Sequence, residues 1–544
     1  MKSRNIQLVI LLLCVTTFFV HNGSLPLDIM ESRNLVTARE MVTDGHWLVP
    51  TMNGELRLEK PPFPTWVAGA IEAVVPHHIP LQRAAAGVMG LLWTWFVWLC
   101  ARYLFRRSDL AWLSVLVFLT CYQVLYMGRT VTWDIYCHAF MMGSIYCLLR
   151  LFYDESPSHP WRWSIGAGLL MGLSFLSKGP ISFYALLLPF LLTVPLWKRP
   201  HLSGKGLPMM LMILLAVIVG GWWYLYLFFR ISDDFMQVMG QESTAWINHN
   251  VRSWIYYIQS FIEVDVWVFW LLAALCFPYW KRRLAHSREY LFLLAWSMGI
   301  LLLLSFFPEK KIRYLLPFMA PCALLVTSLL AHFIHSDELN RGERIFFRIN
   351  GYLIALIMIL SPLIFYFFGL KRGLISWPLC LAFSIVFVAL GGWLCRSVAQ
   401  LSCKRYLLSV AVLFIVVEVF LWPALSELWN SPSYHSIENV AQTPSFQGLR
   451  MYHPSDEPIA IQVVYAAGQK VTPLDISDET AFKRSLPMLL VSQRPAREVL
   501  SPTLLPQLQV VEVDVCNENR IPLGSRRYHP EFINHVTFIR SIEQ

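Results

Sequence analysis

About thirteen apolar runs, most of them near the ~20 residues a bilayer core requires, recur along this 544-residue chain and leave few folds open to it. They lie at 6–21, 84–104, 109–127, 134–153, 163–177, 180–197, 207–229, 260–280, 289–307, 313–333, 348–369, 374–394 and 405–424. Inside a membrane, every backbone N–H and C=O must be satisfied within the segment, so such runs are helices. With 56% hydrophobic and only 15% charged residues, the chain is far more apolar than a soluble protein, where about a quarter is charged. The expected architecture is an all-α polytopic membrane domain over 1–424. After 424 the runs shorten and turn residues multiply. IAIQVV, MLLV and LQVVEVDV there read as strands, so 425–544 is expected to be a small soluble α/β domain.

The net charge of +9 does not point to nucleic acid, because Lys and Arg sit in short clusters between apolar runs. Taking the N-terminus as cytoplasmic, the inner gaps hold Arg102 to Arg107, Arg150 with Arg162, Lys198 to Lys205, Lys281 to Arg288, Arg341 to Arg348, and Arg396 to Arg405. Cytoplasmic loops carry such an excess of cations. The first run follows a basic start and resembles a signal peptide, but no small-x-small cleavage site precedes Asp28, so a retained helix is expected. The C-terminal domain then lies outside the cytoplasm. The eleven cysteines form no CxxC or Cys/His zinc spacing.

Cations occur on the outer side too, where the same rule disfavours them. The segment 28–66 carries Asp28, Glu31, Arg33, Arg39, Glu40, Glu59 and Lys60, and 308–314 reads PEKKIRY. Lys371-Arg372 is a third such group, and nothing in the pattern accounts for it. Arg129, Asp134, Lys178, Glu242, His249 and Arg252 fall on the same face. Taken singly, each has an ordinary reading: Lys178 and Arg313 as snorkelling helix-end cations, Asp134 as an N-cap, His249 as a solvated histidine, Glu59-Lys60 as a surface ion pair. Their coincidence on one face favours a shared polar cavity, because ionisable groups at membrane depth need partners.

These residues carry a resemblance. The first ~330 residues resemble the GT-C superfamily of membrane glycosyltransferases, and within it the bacterial protein-mannosyltransferase-like group and the lipid A aminoarabinose transferases. The matching positions are Glu31, Arg33, Arg39-Glu40-Met41, Gly45, Trp47, Val49-Pro50 and Glu59-Lys60-Pro61, then Arg83, Asp134, Lys178-Gly179 and Lys311 to Tyr314. In one place the pattern breaks: the family's acidic pair is Asp-Glu, and here Met30 precedes Glu31. Asp28, three residues earlier, is expected to share a helical face with Glu31, so either carboxylate is a candidate.

The resemblance implies a polyprenyl-phosphate sugar donor, an extracytoplasmic acceptor (lipid A, another envelope glycan, or Ser/Thr of a protein) and a site in the cell inner membrane. Fixed cations best stabilise charge developing on a leaving phosphate, and Arg matches phosphate geometry. Lys60, Arg313 and Tyr314 are the candidates for this, followed by Lys178 and Lys311. Glu31 or Asp28 would deprotonate a hydroxyl acceptor, with Asp134 assisting and Arg33, Glu59 and Arg83 in support. The resemblance also implies a divalent metal near Glu59, with His249 or Glu242 completing a ligand set. The rival from another class is a transporter or flippase of a lipid-linked sugar, which would show two matching halves; the sequence shows none.

Overall fold

The computed structural model describes residues 3–154, 159–336, 338–427, 431–521, 523–525 and 528–542. Two compact units emerge: Met1–Gly23, Glu59–Pro64 and Ile79–Ala424 form one, and Ser24–Leu58, Thr65–His78 and Leu425–Gln544 the other. Most of the segment 28–66 therefore groups with the C-terminal residues, and the Glu59–Pro64 piece with the helices.

The first unit is helical. It begins with α1 (Ser3–Phe19) and continues with α4 (Ile79–Phe105), α5 (Ser108–Leu119), α6 (Tyr122–Met127), α7 (Trp133–Tyr153) and α8 (His159–Lys178); α2 (Ile29–Thr43) and α3 (Phe63–Val74) intervene in sequence. Among the described residues, eight helices are long and apolar enough to cross a membrane. A ninth candidate is the pair Trp254–Glu263 and Asp265–Ala274, bent by 104°. The long helices fall into two kinds. Trp133–Tyr153 and Ile312–His335 are buried almost throughout, whereas Gly206–Arg230, Arg341–Leu370 and Trp377–Ala399 expose side chains such as Met210, Ile357 and Ile385. Apolar faces this extensive fit lipid, not water.

Small residues bring the helices that carry the site close together. A Cβ on Gly168 of α8 would lie 2.5 Å from the carbonyl oxygen of Met212, and one on Gly172 2.5 Å from Val219. Larger residues would push α8 off the Gly206–Arg230 helix. Against α7, α8 is held by polar contacts: Ser174 Oγ donates to the Cys137 carbonyl at 2.7 Å, and Ser144 Oγ to that of Ala167 at 3.1 Å.

The second unit is built on a five-stranded sheet of β3 (Arg450–Pro454), β4 (Val471–Leu474), β5 (Met488–Ser492), β6 (Leu508–Asn517) and β7 (Ile533–Ser541), in the order β4-β3-β5-β7-β6. β3 runs parallel to β4 and β5, and β7 antiparallel to β5 and β6. Alternate residues of β5 feed opposite faces: Leu489 and Val491 join one core with Val463, Val464 and Val36 of α2, while Met488 and Leu490 join another with Phe482 and Leu504. One sequence expectation is corrected. IAIQVV is not a strand, because Ile461–Ala466 is a helix crossing from β3 to β4. An apolar run of six does not distinguish the two, and the parallel pairing of β3 with β4 demands a crossover.

The segment 28–66 contributes α2 and the hairpin β1 (Thr51–Met52) with β2 (Glu55–Leu56). Asn53-Gly54 turns it with φ of +54° and +86°, the pair of left-handed residues a two-residue hairpin favours. Glu40 of α2 collects this turn, accepting from Thr51 Oγ1 at 2.6 Å, the Asn53 N–H at 2.6 Å and the Gly54 N–H at 3.2 Å. The Asn53 amide in turn exchanges two hydrogen bonds with the backbone of Val471 at the start of β4. Buried Arg39 donates to the carbonyls of Val464, Tyr465 and Gln469 at 3.0, 3.4 and 3.1 Å, closing the C-terminal end of the crossover helix.

Candidate active site

Two antiparallel helices set the centre of the site. Asp134 stands in the first turn of α7 and Lys178 in the last turn of α8, so both side chains reach the same end of the bundle. There they form an ion pair in which both side chains are buried. Gly179, at φ +77°, ends α8 immediately after the lysine. Asp134 does not cap its helix: the N-cap is Thr132, and the Asp134 carboxylate is spent on Lys178.

A ring of cations surrounds Tyr314. Lys178 Nζ lies 5.4 Å, Lys311 Nζ 5.8 Å and Arg313 Cζ 6.0 Å from the ring centroid. Tyr314 donates to Glu309 at 3.1 Å, Lys311 pairs with the same carboxylate at 2.5 Å, and His249 Nδ1 stands 3.6 Å from it. Burial works against a charge on Glu309, but the hydrogen bond and charge of Lys311, with the hydrogen bond from Tyr314, outweigh it and hold the carboxyl below its usual range. Backbone bonds tie the loop of His249 to this segment: Arg252 N–H donates to the Pro308 carbonyl at 3.3 Å and Lys310 N–H to that of Asn250 at 3.2 Å. Lys310 turns its ammonium away, onto the Phe307 carbonyl.

Lys60, in the short Glu59–Pro64 piece, pairs with Glu242 of the Ser232–Asn248 helix at 3.0 Å. Of the four cations Lys60, Lys178, Lys311 and Arg313, three are matched by Glu242, Asp134 and Glu309. Arg313 makes no ion pair among the described residues, and its Nε is buried without a hydrogen-bond partner. Of these four cations, Arg313 is the one without an ion pair among the described residues. Glu242, expected as a metal ligand, and Glu309 are organising residues whose meaning lies in partners 182 and two residues away.

Other candidates play different parts. Arg83 of α4 is fully buried and donates to the Asn22 carbonyl at 2.8 Å. Arg129 reaches the carbonyls of Thr16 and Val20, each at 2.6 Å. Both fasten the end of α1. Asp28, Glu31 and Arg33 belong to the second unit. Asp28 does not continue the helix of Glu31, as spacing alone suggested. It is the extended N-cap of α2, and its carboxylate accepts the Glu31 N–H at 2.8 Å, while the Glu31 carboxylate accepts the Asp28 N–H at 3.4 Å. The two carboxylates thus organise one helix start, and Glu31 is fully buried.

For a metal, the described residues offer no group of three or more His, Cys, Asp or Glu side chains near enough to share an ion. Glu242 is engaged with Lys60, and His249 lies by Glu309, so the set Glu59, Glu242 and His249 is not assembled as ligands.

Comparison with known proteins bears on this arrangement. Residues 59–224 match the model of the dolichyl-phosphate-mannose-protein mannosyltransferase family. The undecaprenyl phosphate-alpha-4-amino-4-deoxy-L-arabinose arabinosyl transferase 2 of Proteus mirabilis is 26% identical over 358 residues, 64% of this chain and 62% of the relative. The corresponding transferase of Aeromonas salmonicida is 28% identical over 365 residues, 62% of each chain. In both cases the chain spans less than two thirds of the relative's length. Across nearly its full length it superposes on ArnT from Cupriavidus metallidurans bound to undecaprenyl phosphate, with a TM-score of 0.71 at 17% identity, covering 99% of this chain and 98% of the other. The chain shares the fold of ArnT. The apo form of that protein gives 0.68 at the same identity, covering 97% and 96%. Within the ArnT fold, the stretch matched by the mannosyltransferase family holds Lys60, Asp134 and Lys178 but stops short of Arg313 and Tyr314.

Proposed function

We propose that this protein is an integral membrane glycosyltransferase that moves a sugar from a polyprenyl-phosphate donor to an acceptor in the cell envelope of the lipid A type. The observation that carries this reading is the cation cluster around Tyr314, where Arg313 is left without a carboxylate. A guanidinium beside two paired lysines, at the end of an apolar bundle, suits a lipid phosphate: two parallel N–H donors for its oxygens, and a low-dielectric setting that strengthens them. The apolar helices would take the polyprenyl tail.

In the reaction, an acceptor oxygen attacks the anomeric carbon, the bond from that carbon to the phosphate oxygen breaks, and the electron pair leaves with the polyprenyl phosphate. Arg313, Lys60, Lys178 and Lys311, with the Tyr314 hydroxyl, stabilise the charge that appears there. A hydroxyl acceptor gives its proton to a carboxylate, for which Glu31 and Asp28 remain the candidates and Asp134 assists by holding Lys178. A phosphate acceptor is already ionised and needs no base, which makes Met30 in place of the family's aspartate tolerable. The aminoarabinose named in the relatives is the first sugar to test.

The same reading sets the number and direction of the spans. The eight long helices, the bent pair, the shorter apolar helices Asn5–Phe19, Ser108–Leu119 and Phe183–Leu196, and α8 together supply a helix for each of the thirteen apolar runs. With the N-terminus cytoplasmic, the cluster and the C-terminal α/β domain face outward from the cell inner membrane. Cysteines substituted at His249 and Arg313 should then react with a membrane-impermeant reagent and one at Lys198 should not; the opposite pattern refutes the orientation. The function is tested by mass spectrometry of lipid A and envelope glycans from cells with the wild-type or the Arg313→Ala protein. If the variant protein leaves every glycan unchanged, the reading falls.

A further inference from the structure

At the other end of the bundle lies a cavity that the transfer reaction does not use. It measures about 470 Å³ and opens between α1, α5, the end of the Met319–His335 helix and the start of the Cys403–Val416 helix. Small-molecule sites occupy about 300–1,000 Å³. Its walls are graded. Within the helices, away from the ends that carry the charges, it is lined by Ile10, Leu113, Leu116, Leu407 and Ala411, all aliphatic. The mouth carries Arg107, Asp109, His335 and Lys404. These come from segments distant in sequence, including two of the basic loops that the charge pattern assigns to the cytoplasmic side.

The mouth is a built structure. Arg107 holds Asp109 through Nε at 3.0 Å and Nη2 at 2.8 Å, and His335 Nε2 lies 2.7 Å from that Nη2 and 3.2 Å from the carboxylate. Asp109 thus balances Arg107. Lys404, from a different helix, makes no ion pair among the described residues, so the mouth keeps a cation that Asp109 does not balance. An unbalanced cation over an aliphatic slot, at the level where helices leave the membrane, is complementary to one kind of occupant: a phosphate head with acyl chains below it. Basic pockets between membrane helices on the cytoplasmic side bind anionic lipid heads for this reason.

We propose that this cavity binds an anionic glycerophospholipid, its phosphate at Lys404 and the edge of Arg107 and one acyl chain between Leu113 and Leu407. The leaflet rests on the orientation given above; the binding does not. Occupancy would brace α1 against α5 and the Cys403–Val416 helix.

Native mass spectrometry of the full-length protein, exchanged from detergent into phosphatidylglycerol or phosphatidylethanolamine, tests it. One phosphatidylglycerol is expected to be retained at lipid levels where phosphatidylethanolamine is stripped. Lys404→Ala should lower that occupancy about fivefold, the contribution of one cation near an anionic lipid head. Ala411→Trp should abolish it by filling the aliphatic part without touching the charges. Equal retention of the two lipids overturns the proposal, as does an adduct that survives Ala411→Trp. Loss in Ala411→Trp without loss in Lys404→Ala overturns the phosphate contact. Because bound lipid is read rather than sugar transfer, failure here leaves the transferase reading standing, and the reverse. Labelling of a cysteine at Lys404 from the outside would overturn only the leaflet.

Discussion

Arg39 and Arg313 are both arginines in stretches that resemble family motifs, yet their surroundings are opposite. Arg39 sits in the second unit with its guanidinium committed to the carbonyls of Val464, Tyr465 and Gln469. Burial draws its proton affinity down, with Glu40 opposing that. Arg313 sits in the first unit among lysines that already have carboxylates, and it has none. The first is spent on holding a fold together; the second has no carboxylate, and the proposed function gives it the donor phosphate. A motif match does not separate these two uses, but the list of partners does.

That contrast predicts a ranking of effects. The largest belongs to the phosphate cluster. Lys60→Ala and Arg313→Ala should each lower transfer by about 10²–10³-fold while leaving the thermal unfolding profile in detergent near that of the parent, because removing one donor to a developing charge costs that much. Glu31→Gln is expected to abolish transfer to a hydroxyl acceptor and to spare transfer to a phosphate acceptor, a split that in-vitro assays with both acceptors will read. If Lys60→Ala and Glu31→Gln both retain full activity, the site assignment is wrong.

Next comes the buried pair. Asp134→Asn strips Lys178 of its partner and should destabilise the protein by about 3–5 kcal/mol, while the double change Asp134→Asn with Lys178→Met should recover much of that stability without recovering transfer. A double variant that regains activity would remove Lys178 from the phosphate site. Arg39→Ala should be milder, costing about 1–3 kcal/mol through the carbonyls it abandons and exposing the C-terminal residues to protease, with transfer per folded molecule preserved. Loss of transfer without loss of stability would erase the distinction between the two arginines.

The smallest effect expected is a pH limb in the second unit. Burial opposes a charge on Asp44, but its hydrogen bond to and the charge of Lys470, 2.6 Å away, prevail and lower its proton affinity. A carboxylate depressed in the folded state adds stability above its unfolded pKa of about 3.9 and loses it as pH falls through the folded value. Asp44→Asn should therefore lower stability slightly at neutral pH and leave it unchanged at the acid end, where Asp44 is protonated, so that the fall between the two becomes shallower.

Much of this was readable from residue order. The apolar runs anticipate a helix for each stretch, and a strand period of two places Leu489 and Val491 opposite Met488 and Leu490 before any coordinates exist. The runs fail where length is short: IAIQVV has the apolar content of a strand, and only its place between two parallel strands makes it a helix. Spacing also misleads at a helix start. Asp28 and Glu31 have the separation of one helical turn, but an N-cap lies outside the helix, so the spacing describes a capping box instead of a shared face.

Sequence alone determined that the chain is a membrane protein and which residues deserve suspicion, because hydropathy and charge are properties of local composition. Tertiary structure decided which of those charges cancel. Glu242 lies 182 residues from Lys60, and Asp134 lies 44 from Lys178. An ion pair falls off steeply with distance and depends on burial, so only the folded chain could show that the lysines are matched and that Arg313 is left over.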